Sequence, residues 1–89
     1  MNGINQTVFA YGQTSSGKTF TMRGPSNSQS LDGPNLGLIP LSIKEIFDFI
    51  NNDQSCKYKV SVCYMEIYNE CVNDLINPAN KNLDVRESI

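Results

Sequence analysis

Residues 7–22 read TVFAYGQTSSGKTFTM. A short β-prone run from Thr7 to Tyr11 stops at a glycine, and a polar loop then leads to a second glycine, a lysine and a threonine. Gly12-Gln13-Thr14-Ser15-Ser16-Gly17-Lys18-Thr19 fits the pattern G-x-x-x-x-G-K-[ST] at every fixed position. At average residue usage such a fit arises by chance in roughly one of a few hundred chains of this length, so the pattern carries the reading. Each fixed residue has a task around phosphate. Gly12 lets the chain turn sharply off its strand, and Gly17, without a Cβ, lets the backbone close around an anion. Successive N–H groups then form a nest at the positive end of the following helix. Lys18 brings a mobile full charge towards the β- and γ-phosphates. The Thr19 hydroxyl offers a ligand to Mg²⁺, which takes oxygen donors in near-octahedral geometry. The run reads as a phosphate cradle between a strand and a helix.

Outward from the cradle, the pattern predicts a helix beginning at Lys18 and ending at Gly24-Pro25. Residues 24–36 shift to Gly, Pro, Ser, Asn and Gln and read as an exposed insertion. Pro40 suits the first turn of the next helix, about 39–51. Ile39, Ile43, Ile46, Phe47 and Ile50 recur there at helical spacing, with Lys44, Glu45 and Asp48 on the other side, so the stripe is expected to face a core. Residues 57–68 read as a strand apolar on both faces, and therefore covered on both. Val72 to Ile76 reads as a short amphipathic turn or strand broken at Asn77-Pro78, and Leu83 to Arg86 as the opening of another strand. The order strand, glycine loop, helix, strand points to an α/β layer.

The chain of 89 residues holds at most one small domain, and chains of that size bury only about 60% of their unfolded surface. A hydrophobic share of 39% and a charged share of 18% are those of a globular protein rather than a disordered tail. The net charge of −2 gives no overall pull towards nucleic acid or anionic lipid, and no apolar run is long enough to span a membrane. Met1-Asn2-Gly3-Ile4-Asn5 lacks the basic and apolar regions of a secretory signal. Cys56, Cys63 and Cys71 are odd in number, lack CxxC spacing and have no histidine to join them, so buried or inert reduced thiols are expected.

The cradle alone serves small-molecule kinases, GTPases and motors. Its surroundings discriminate. NGINQTVFAYGQTSSGKTFTM, GLIPLSIKEIFDFI and VSVCYMEIYNECVNDLINP together resemble the kinesin motor domain, in order and over nearly the whole chain. FAYGQTSSGKT and EIYNE are the most specific segments, and the wording from YMEIYNE to VRE looks most like the centromere-associated branch. The resemblance implies an α/β fold of the P-loop NTPase type over residues 1–89, a partial motor domain with an incomplete central sheet and flanking helices. It implies ATP and Mg²⁺ as cofactors and a motor that moves along microtubules in the cytoplasm and cytoskeleton. Tubulin would be met through parts mostly outside these residues, and the parent would be a dimer held by a coiled coil. Carried over by position, Gly12, Gln13, Thr14, Ser15, Ser16, Gly17, Lys18 and Thr19 would line the phosphates, with Thr19 on Mg²⁺. Phe20 falls where kinesins place an aromatic or histidine beside adenine; the other reading makes it a core residue of the first helical turn. Residues 24–36 would be the variable loop associated with nucleotide gating, or else a tolerated surface loop. Glu66 and Glu70 lack the spacing of a catalytic carboxylate pair, and the equivalent family segment is structural.

The sequence departs from the family by omission. It contains no serine-rich first switch, no D-x-x-G second switch, no R-x-R-P near its start and no basic microtubule face. Phosphoryl transfer needs a positioned water and stabilised γ-phosphate charge beyond cradle and metal. No catalytic residue is therefore assigned, and the chain is expected to be the nucleotide-binding part of a longer motor. A nucleotide-binding or interaction module without hydrolysis, and another P-loop enzyme such as a small kinase, are the rival readings.

Overall fold

Helix α1 (Lys18–Arg23) follows the second cradle glycine directly. The computed structural model describes residues 2–25 and 35–87, in two compact units divided between Lys57 and Tyr58. In the first unit α1 begins where Gly17 takes a left-handed conformation (φ 93°), which favours glycine. It ends at Gly24, again left-handed (φ 88°), whose N–H donates to the Phe20 carbonyl at 2.8 Å. A six-residue helix nucleates poorly by itself, and α1 lies against α2 (Leu38–Asn52). That helix starts one residue before the predicted bound and ends one after it. Pro40 sits in its first turn, where a missing N–H costs nothing. The Asp53 N–H closes the other end on the Phe49 and Ile50 carbonyls.

The second unit is organised by an antiparallel hairpin of β1 (Met65–Tyr68) and β2 (Cys71–Asp74), with Tyr68 opposite Cys71 and Met65 opposite Asp74. Asn69 and Glu70 form the two-residue connection, both with positive φ (49° and 60°). That is the geometry whose twist matches the flanking strands. The Leu75 N–H extends the pairing to the Tyr64 carbonyl at 2.8 Å, and the Leu83 N–H reaches the Val72 carbonyl at 2.8 Å.

Five expectations are corrected. Residues 7–11 form no strand, and Phe9 and Tyr11 stand 80% and 95% exposed. A lone β-prone run has no ladder to satisfy its backbone, and no described strand lies beside it. For the same reason the strand expected over 57–68 shrinks to β1, where a partner is at hand, and Leu83 to Arg86 contributes one hydrogen bond rather than a strand. The stripe on α2 faces no core: among the described residues no apolar side chain is buried, and Ile39, Ile43, Ile46 and Phe47 are all exposed. The sheet it should cover is not among the described elements, where the hairpin is the whole of the β structure. The thiols are free but not buried: Cys56 and Cys63 are exposed and Cys71 half-buried.

Candidate phosphate-binding site

The turn at residues 12–17 is built by its own backbone. The Ser16 N–H donates to the Gln13 carbonyl at 3.2 Å, and Ser15 (φ 66°) and Gly17 (φ 93°) turn the chain left-handed on either side of Ser16. A Cβ on Gly17 would meet nothing within 4 Å, so the position is open on that side and its glycine is required by φ alone. Gly12 differs: a Cβ there would come within 2.5 Å of the Ser16 Oγ and 3.2 Å of its Cβ, so a side chain fits only if Ser16 shifts.

Gly17 also caps α1, and a glycine supplies no side-chain cap. The N–H groups of the first helical turn, at Lys18, Thr19 and Phe20, are left for another acceptor. Thr21 helps to hold the start of the helix: its N–H and its hydroxyl both donate to the Gly17 carbonyl, each at 2.9 Å. Lys18 is half-buried and arches back over the turn, its ammonium donating to the Gly12 carbonyl. The cation therefore rests on a neutral acceptor, which an anionic oxygen can replace with a stronger charge-assisted bond.

Thr14, Ser15, Gly17, Lys18, Thr19 and Phe20 line one open cleft of about 400 Å³. That volume lies in the range of ligand sites, roughly 300–1,000 Å³. Of the residues assigned to the phosphates, Gly12, Gln13 and Ser16 do not line it; they make the turn beneath. Phe20 is 57% exposed on the cleft, so its reading as a core residue finds no support in its surroundings. Thr19 brings a single hydroxyl, and no cluster of metal-ligating side chains occurs among the described residues. One protein oxygen suits Mg²⁺ carried on phosphates, which keeps several waters and takes few protein ligands. The residues present fit an Mg²⁺-nucleotide better than a resident metal.

The whole chain, residues 1–89, matches the model of the kinesin motor domain. The chain belongs to the kinesin motor-domain family. It is thereby a P-loop NTPase by descent, although the described elements amount to two helices and a hairpin rather than a complete motor fold. Among curated relatives, the kinesin-like protein KIN-7G of Oryza sativa subsp. japonica is 51% identical over 89 residues, all of this chain and 9% of that protein. KIN-7K, chloroplastic, of Arabidopsis thaliana is 51% identical over 87 residues, 98% of this chain and 8% of that protein. KIN-7D, mitochondrial, of Arabidopsis thaliana is 49% identical over the same span and shares. The kinesin segment thus spans less than a tenth of the length of these relatives. No solved structure matches it.

These relatives overturn the cytoplasmic and cytoskeletal placement expected from the resemblance, because several carry chloroplastic or mitochondrial in their names. An organelle address is written in a leader rich in Arg and Ser, and motor-domain residues bear no trace of it.

The rest of the site answers to the sequence unevenly. The variable loop assigned to 24–36 lies largely outside the described residues, at 26–34. Glu66 sits opposite Asn73 across the hairpin, and its Oε1 accepts from the Asn73 amide at 3.3 Å, a structural contact. Sequence reasoning missed the partnership of Gly24 and Gly37, the two residues buried among those described. A glycine at each end of the insertion was the available signal.

Proposed function

We propose that this kinesin segment is the ATP-binding part of a microtubule-based motor, whose complete chain couples ATP hydrolysis to movement. The observation that carries the reading is the single cleft that gathers Thr14, Ser15, Lys18, Thr19 and Phe20 around the open left-handed Gly17. In this proposal Lys18 exchanges the Gly12 carbonyl for phosphate oxygen, and the uncapped N–H groups of α1 add fixed partial positive charge. Thr19 holds the metal, and Phe20 gives the base an aromatic face. Mg²⁺, when bound, would be held by the Thr19 hydroxyl and would supply charge neutralisation to the phosphates. The centromere-associated branch rests on the wording around EIYNE and stays part of this proposal; the relatives carry the KIN-7 name.

The chemical step needs groups these residues do not include, a positioned water and a γ-phosphate sensor. The complete motor is expected to show microtubule-stimulated ATPase activity, and the 89-residue chain expressed alone is expected to show none. With so much apolar surface exposed, the chain alone should also melt without cooperativity and aggregate. Microtubule-stimulated turnover by a monomeric, cooperatively melting 89-residue chain would contradict the proposal.

A further inference from the structure

Gly24 and Gly37 bring two backbones together more closely than any side chain allows. A Cβ on Gly37 would lie 2.5 Å from the carbonyl carbons of Met22 and Arg23 and from the Gly24 nitrogen. A Cβ on Gly24 would lie 2.7 Å from the Asn35 carbonyl oxygen and 3.0 Å from the Gly37 nitrogen. Every one of these neighbours is backbone, so none can swing aside. Gly37 is extended (φ −77°, ψ 177°), a conformation open to any residue, and only the close approach demands glycine there. The crossing joins the end of α1 to the start of α2, with no buried side chain among the unit's described residues to do so. A six-residue helix has little stiffness or anchorage of its own, and its first turn carries Lys18, Thr19 and Phe20.

We infer that the Gly24–Gly37 crossing is a positioning device for nucleotide, fixing the axis of α1 and with it the placement of Phe20 relative to the cradle turn. The inference rests on the cradle reading. The Ser16–Gln13 hydrogen bond shapes the turn upstream of α1, and Lys18 and Thr21 tie the helix start to it at Gly12 and Gly17, whereas the Phe20 side chain is placed by the helix axis. Gly37→Ala must part the backbones by about 1 Å to reach ordinary contact, and a misplacement of that size costs up to about 100-fold in a positioned site. The base should feel it more than the phosphates.

The test uses a complete motor carrying this segment, with KM for Mg·ATP, inhibition by inorganic tripolyphosphate and the melting temperature measured together. Gly37→Ala is expected to raise KM for ATP about tenfold or more, while tripolyphosphate inhibition changes by less than about threefold. Gly24→Ala should act in the same direction. Gly3→Ala is the control: Gly3 has positive φ (66°) and open space around it, so strain without a crossing should leave both ligands unchanged. Equal weakening of both ligands, or no weakening, overturns the inference. Loss of the fold in both crossing variants overturns it too, because the glycines would then serve folding rather than placement. Lys18→Ala, made alongside, should lose both ligands; if it loses neither, the cradle reading falls and takes this inference with it.

Discussion

The cradle of residues 12–24 and the hairpin unit of residues 64–83 are both short, locally folded and rich in polar residues, yet they dispose of their polar groups in opposite ways. The hairpin spends them internally. The Asp74 carboxylate accepts the Asn77 N–H at 3.0 Å and the Ile76 N–H at 2.8 Å, and its other oxygen accepts from the Asn80 amide at 3.5 Å. The Asn73 side chain bonds Glu66 and the Asn82 N–H, and the Asn77 side chain accepts the Ala79 N–H. The cradle leaves its first helical turn uncapped, opens Gly17 to solvent and rests a lysine on a carbonyl. Polar groups satisfied within a turn stabilise that turn; polar groups held in place but left available are what a ligand uses. Substitutions in the cradle should therefore move nucleotide affinity with little change in stability, and those in the hairpin the reverse.

Short of removing the Lys18 cation, the largest effect that sharpens this division is at Phe20. Phe20→Ala in the complete motor should weaken adenine nucleotides by roughly 1–3 kcal/mol as stacking on the base is lost. Tripolyphosphate binding and the melting temperature should hardly change. Equal loss for both ligands, or global unfolding, would return Phe20 to a packing role.

A smaller effect of opposite kind is expected at Glu70. A non-glycine residue in the left-handed region carries about 1–2 kcal/mol of strain, and Glu70 is held there by the two-residue turn. Glu70→Gly relieves it but adds the flexibility of glycine in the unfolded chain, about 0.5–1 kcal/mol. A net gain of several tenths to about 1 kcal/mol should appear in denaturant melts of the complete motor, with KM for ATP unaltered. A shift in KM would break the division between the two regions.

The smallest effect is the response of the hairpin to acid. The N–H groups of Asn77 and Ile76 hold the Asp74 carboxyl below its ordinary range. A carboxyl whose pKa is depressed by folding contributes stability that is present above its unfolded pKa and lost as pH falls through the folded value. Asp74→Asn should therefore flatten the acid limb of the stability profile slightly, as amide exchange at Ile76 and Asn77 would record. An unchanged limb would show that the turn does not need the charge.

How much of this the sequence disclosed follows the range of the interactions involved. Gly17, Lys18, Gly24 and the stripe from Ile39 to Ile50 declare themselves because turns, caps and helical periods are settled by residues a few places apart. The run from Thr7 to Tyr11 was legible as β-prone and no more, since a strand exists only beside another strand. Within 57–68, four residues paired because a two-residue turn delivered their partner immediately. The Gly24–Gly37 crossing left only a glycine at each end of the insertion as its signal, and two such glycines look alike whether or not another backbone lies against them. The location of the protein was misjudged for a different reason, as motor residues carry no address.

The most direct measurement of the central claim, that residues 12–19 bind nucleotide phosphates, is equilibrium binding of Mg·ATP to the complete motor with and without Lys18→Ala. The variant removes the cation that rests on the Gly12 carbonyl and leaves the turn's own hydrogen bond between Ser16 and Gln13 in place. Affinity for Mg·ATP should fall severely and hydrolysis should cease, with a melting temperature close to that of the unaltered motor. Unchanged affinity and turnover in a folded Lys18→Ala motor would contradict the account.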